Sequence, residues 1–183
     1  MVNKTAPADE SWRGFLIFMW FPINFEKVRG VPINNHPGAF GALRRFDIHT
    51  GVDLYTQEND WVYAIENGEV VANTLFTGDD TTPWWNKTDC LIIKCENRYF
   101  LYGELKSNLQ VGHKVVAGEK IGEIIPVLPK EKIRADIPEH SNCMLHLEVF
   151  DSSYKLENGF PFWSNFLDKP KYLLDPTPIL LQV

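Results

Sequence analysis

Two short segments hold the side chains on which chemistry can be built. His49 and Asp53, in His49-Thr-Gly-Val-Asp53, stand four residues apart. Gly51 and the β-branched neighbours Thr50 and Val52 argue against a helix there, so the pair must converge by a turn that runs into a strand. In Met144-Leu-His146-Leu-Glu148-Val, strict alternation sends Met144, His146 and Glu148 to one face and Leu145, Leu147 and Val149 to the other. The second face is core, and His146 looks into a cleft or into solvent. One imidazole from each of two segments plus one carboxylate is a ligand set suited to Zn²⁺, with a fourth position left for water. By spacing alone, an ordinary hydrogen-bonded histidine remains open at each position. His36, His113 and His140 have no evident role.

The elements that must position these residues read as short strands. Twelve glycines and twelve prolines punctuate β-branched and aromatic runs, and no long stretch keeps a capped helical period. Strands are expected near 52–55, 61–65, 68–76, 90–95, 99–105, 120–126 and 144–150. Phe15 to Phe21 reads as a further buried strand, because seven apolar residues closed by Pro22 are too few to span a bilayer. Asn67-Gly68 signals a tight antiparallel hairpin between the second and third strands, and Glu96-Asn97-Arg98 signals another. Residues 127–142 should form a long polar loop, and the proline-rich tail 151–183 should wrap irregularly. Gly112, Gly118 and Gly122 read as turn positions, since no following helix or GK[ST] completes a phosphate cradle.

Composition removes several functions. The chain has 183 residues, 44% of them hydrophobic and 23% charged, which suits one globular unit. A formal charge of -6 has the wrong sign for a nucleic-acid partner. No apolar run reaches the roughly 20 residues of a membrane span. Three cysteines require no disulfide framework, because Cys90 and Cys95 should point to opposite faces of one strand. The amino terminus reads as lacking a secretory signal, so the expectation is synthesis in the cytosol, with release by lysis or association with a virion as routes outward.

Several motifs in order resemble the lysostaphin-like, or LytM-type, zinc endopeptidases. They are Phe40-Gly-Ala-Leu-Arg44-Arg45-Phe-Asp-Ile-His49-Thr-Gly-Val-Asp53, Val62-Tyr-Ala64-Ile-Glu-Asn67-Gly68-Glu-Val70, Tyr102-Gly-Glu104-Leu105, the glycine rhythm of Gly112, Gly118 and Gly122, and Met144-Leu-His146-Leu-Glu148. The ordered match runs from about Gly38 to Phe150. The resemblance implies an all-β fold, an antiparallel twisted sheet or sandwich of the duplicated hybrid-motif type with long loops around a groove. It implies one domain over 1–183, with a core at about 38–150 and extensions at both ends. It also implies that His49, Asp53 and His146 are zinc ligands.

Two positions depart from the family pattern. Glu104 and Met144 stand where the family has the two histidines that act as general base and oxyanion donor beside the metal. A carboxylate can serve as general base or can itself ligate the metal. Met144 has no donor and cannot stabilise an oxyanion. The zinc itself, Arg44 or Arg45, a tyrosine, or His140 from the preceding loop are the candidates to cover that loss. Trp84-Trp85 reads either as one wall of a groove or as an anchor onto its own domain.

Two functions follow from the resemblance. One is a peptidase of bacterial cell-wall (peptidoglycan) cross-links. The other is a zinc-containing binding or regulatory module for a wall peptide or a protein partner, with hydrolysis reduced or lost. A phosphocarrier would need two facing histidines, against which Met144 argues, and a lipoyl-type carrier would need a lysine at the Glu66-Asn67-Gly68 turn.

Overall fold

The computed structural model describes residues 19–24, 30–44, 48–80, 82–132, 142–153 and 172–183. Nine strands lie among them: β1 (Val52–Tyr55), β2 (Trp61–Tyr63), β3 (Gly68–Thr77), β4 (Thr88–Lys94), β5 (Arg98–Lys106), β6 (Lys114–Val115), β7 (Lys120–Ile124), β8 (Met144–Asp151) and β9 (Leu173–Leu174). Every pairing is antiparallel, in the order β1-β8-β5-β4-β3-β6, with β7 joining β2 to β5 and β9 pairing β8. The protein is therefore an all-β twisted sheet, as the sequence led one to expect. A 3-10 turn at Lys130–Lys132 and the one-turn helix α1 (Thr177–Leu180) complete it. Among the described residues no helix is long and apolar enough to cross a membrane.

The central strands are covered on both faces, and the alternation of β8 shows how. Leu145, Leu147 and Val149 join the larger core with Val52, Leu54, Leu91, Ile93, Phe100 and Tyr102. Phe150 joins a smaller cluster on the opposite face with Cys90, Ile92, Leu101 and Leu173. Cys90 and Cys95 fall into opposite clusters and are free thiols. His146 and Glu148 share the second face and are buried there, so each needs polar partners.

The expected hairpin at Asn67-Gly68 does not form. β2 pairs β7, and β3 pairs β4 and β6, so the two runs flanking that turn are not neighbours. Neither Asn67 nor Gly68 has positive φ. The Asn67 side chain instead accepts from the Ala117 N–H at 2.8 Å, and Gly68 is required because a Cβ there would stand 2.6 Å from the Lys94 carbonyl. The Glu96-Asn97-Arg98 turn does close a hairpin, with Lys94 opposite Tyr99. The expected strand at 15–21 falls largely outside the described residues, and Met19 to Phe21 are not in a strand. Of the expected irregular tail, 154–171 lie outside the described residues; the described end, 172–183, carries β9 and α1, which both pack on the sheet.

Tyr102 is fully buried, and its hydroxyl accepts the Ile65 N–H at 2.9 Å, tying β5 to the segment after β2. Tyr102→Phe leaves that buried N–H unpaired and should destabilise the fold by about 1–3 kcal/mol, read as a lower urea midpoint.

Candidate metal centre

His49, just ahead of β1, Asp53 within β1 and His146 in β8 converge because β1 and β8 are hydrogen-bonded neighbours that place Asp53 directly opposite His146. All three are buried. His146 Nδ1 lies 2.9 Å from Asp53 Oδ1, His49 Nε2 lies 3.1 Å from the same oxygen, and the two nitrogens are 3.2 Å apart. These edges are close to the separation of about 3.3 Å expected between ligands of a tetrahedral zinc with bonds of about 2.0–2.1 Å.

Outer partners fix which atoms face inward. His49 Nδ1 donates to the Ala39 carbonyl at 2.9 Å, which leaves Nε2 as a bare lone pair. His146 Nε2 donates to Glu148 Oε1 at 3.0 Å, which turns Nδ1 inward, and Thr50 Oγ1 donates to the same carboxylate oxygen. Arg44 holds Asp53 Oδ2 at 2.7 Å and frees Oδ1 for the cluster. Three lone-pair atoms aimed at one point need a cation among them, either a proton or a metal ion. Burial alone would lower the His146 pKa, but its bonds to Asp53 and Glu148 and their charges push it up to about 10. Burial would raise Asp53, yet the two imidazoles hold it well below the usual carboxylate range.

Gly51 makes room for this arrangement. A Cβ there would stand 2.5 Å from the Leu147 carbonyl oxygen and 2.8 Å from His146 Cε1. The carbonyl belongs to the paired strand and cannot swing away. Gly51→Ala should therefore lower the urea midpoint and weaken divalent-metal binding together, in a denaturation series run with and without added zinc.

Glu104 reaches the site through an irregularity. Asp89 pairs Leu105 while Cys90 pairs Gly103, so Glu104 is an extra, bulged residue of β5, and its φ is +66°. Alternation from the core residue Tyr102 would have sent Glu104 into the larger core. The bulge resets the parity, Leu105 takes the core position, and Glu104 turns towards Asp53, His146 and Arg44, whose charges it feels. It lies outside the group of three donors whose atoms are all within 4.8 Å of one another. Its Oε2 is buried with no hydrogen-bond partner among the described residues. Burial, with the Asp53 charge adding to it, pushes its pKa up to about 8.

Met144 opens β8 half-buried, directly across from Tyr55. Of the candidates to replace its missing donor, Arg44 is engaged with Asp53, while Arg45 and His140 lie outside the described residues. Trp84 and Trp85 stay exposed on the turn between β3 and β4, and the Trp84 carbonyl accepts from Lys132 Nζ at 2.8 Å. Sequence reasoning missed the Ala39 carbonyl and the roles of Thr50 and Glu148. Only Glu148 left a signal, its position two residues after His146 on the same face.

The fold is lysostaphin-like. Solved structures similar to this chain include lysostaphin, the antimicrobial peptidase from Staphylococcus simulans, at 19% identity and a TM-score of 0.53, over 84% of this chain and 50% of that one. Another is cbpa from L. salivarius REN, at 15% identity and a TM-score of 0.52, over 83% of this chain and 88% of that one. A zinc-containing peptidase from Vibrio cholerae matches at 20% identity and a TM-score of 0.48, over 84% of this chain and 41% of that one. The chain thus spans half the length of lysostaphin. No family model and no curated protein matches it.

In metal-stripped protein the buried Glu104 carboxyl should make stability pH-dependent. Its folded pKa of about 8 lies above the ordinary glutamate value of 4.5. The neutral form is then favoured in the folded state, and that contribution is full below about pH 4.5 and lost as pH rises towards 8. Glu104→Gln should remove this dependence, so the stability difference, variant minus wild type, should grow over that window in urea titrations done in chelator.

Proposed function

We propose that this chain is a zinc-binding, peptidase-like domain over 1–183, acting on the peptide cross-links of bacterial cell wall, with His49, Asp53 and His146 as the metal ligands. The observation that carries it is the triangle of three inward lone pairs, each fixed by its own outer partner. That donor set, two neutral imidazoles and one carboxylate, fits zinc and leaves a position open. The fold supports the reading because lysostaphin, a peptidase, is built on it.

When bound, zinc supplies a Lewis acid and lowers the pKa of water at its open position. The chain's own residues do the rest. Arg44 holds Asp53 Oδ2 and would leave Oδ1 for the metal, and Glu148, accepting from His146 Nε2, would leave Nδ1 for it. Glu104 is the general base: its carboxyl is buried facing Asp53 and His146 with Oε2 unpaired among the described residues, placed to take a proton from water and return it to the departing amine nitrogen. A second reading, a zinc-containing binding module for wall peptide or a protein partner, is favoured by Met144, which has nothing to donate to a developing oxyanion.

Purified protein should contain one zinc per chain, lost in Asp53→Ala, and should cleave peptidoglycan or its tetra- to pentapeptides in a chelator-sensitive manner. Glu104→Gln should retain the zinc while lowering kcat by about 10²–10⁴. Zinc present without cleavage, together with turnover gained in the Glu104→His, Met144→His double variant, would establish the binding module instead.

A further inference from the structure

Tyr55 ends β1 two residues after Asp53, so both side chains leave the same face of the strand. Its backbone partner across the ladder is Met144. The point where a Cβ on Gly38 would stand lies 3.1 Å from the Tyr55 hydroxyl oxygen and 3.1 Å from Asp53 Cβ, so both side chains crowd one small space. The ring is braced by His36, edge-on at a centroid distance of 5.6 Å, and His36 is held in turn by the Gly38 N–H at 3.0 Å.

Several donors around the cluster already have acceptors: Arg44 Nη2 on Asp53 and the Pro37 carbonyl, Thr50 on Glu148, His49 Nδ1 on Ala39, and His146 Nε2 on Glu148. The Tyr55 hydroxyl has no hydrogen-bond partner among the described residues. Building on the peptidase reading above, we infer that the Tyr55 hydroxyl donates a hydrogen bond to the carbonyl oxygen of the peptide under attack, the role that Met144 cannot fill. A phenol ordinarily titrates at about 10, so the hydroxyl carries its proton across the neutral range.

The step balances. The water oxygen bonds to the carbonyl carbon, a π electron pair moves onto the carbonyl oxygen, and the water's proton passes to Glu104. When that pair returns, the C–N bond breaks and the proton on Glu104 goes to the leaving nitrogen. Tyr55 gives up no proton. It holds the oxygen only while the negative charge is there, which is when a hydrogen bond lowers the barrier.

Tyr55→Phe removes the hydroxyl alone, and the test uses the full chain loaded with zinc. Zinc affinity, measured by competition with a chromogenic chelator, should be unchanged. Inorganic phosphate, a tetrahedral oxyanion probe, should bind about tenfold more weakly by calorimetry. On wall peptide kcat should fall by about 10²-fold with little change in KM, and Met144→His in the Tyr55→Phe background should recover at least part of it. Phosphate binding equal to wild type in zinc-loaded Tyr55→Phe overturns the Tyr55 assignment and leaves the metal site standing. Failure of the wild-type chain to bind zinc overturns both.

Discussion

The site rests on the outward hydrogen bonds of its two imidazoles. A neutral imidazole has one N–H and one lone pair, and the partner given to the first decides where the second points. The Ala39 carbonyl and the Glu148 carboxylate make that choice for His49 and His146, and Arg44 makes the equivalent choice for Asp53. Everything closer to the chemistry depends on these contacts. With them, three lone pairs meet at the edges of a small triangle in a buried site. Without them, either ring could turn its N–H inward, and the lone pairs would no longer share one point.

The sheet was legible in the sequence wherever both faces of a strand had to be filled. The Leu145, Leu147 and Val149 alternation identified the core face of β8, and the same parity located His146 and Glu148 on the other side. The Asn67-Gly68 signal misled because turn propensity is local, whereas the glycine is demanded by a remote carbonyl on β4 and the asparagine caps a different turn. Outer partners such as Ala39 were invisible for a related reason. A backbone carbonyl has no residue type, so nothing in a sequence marks it as a histidine's acceptor. The three proposed ligands were legible as a set only through ordered motifs, because a lone His–Asp pair is common in strands that bind nothing.

Glu104 shows how a one-residue irregularity can change what a strand presents. An unbulged β5 would have placed a carboxylate in an apolar core, a cost of several kcal/mol. The bulge instead accepts a left-handed backbone at a non-glycine residue, a strain of about 1–2 kcal/mol, and delivers the carboxylate to the charged face. The lesser penalty is taken, and it is taken beside the site, where backbone strain tends to collect.

The ladder between β1 and β8 also has a consequence for how the chain assembles. His49 and His146 are 97 positions apart along the backbone, so a cation gripped by both closes a large loop, much as a cross-link would. Loop-closure entropy rises only slowly with length, and a shared ion spanning that distance restrains an ensemble that three unpaired thiols leave open. An ion held there would tie the first strand to the eighth, and a protease would then distinguish the loaded from the stripped form by how readily that strand peels away.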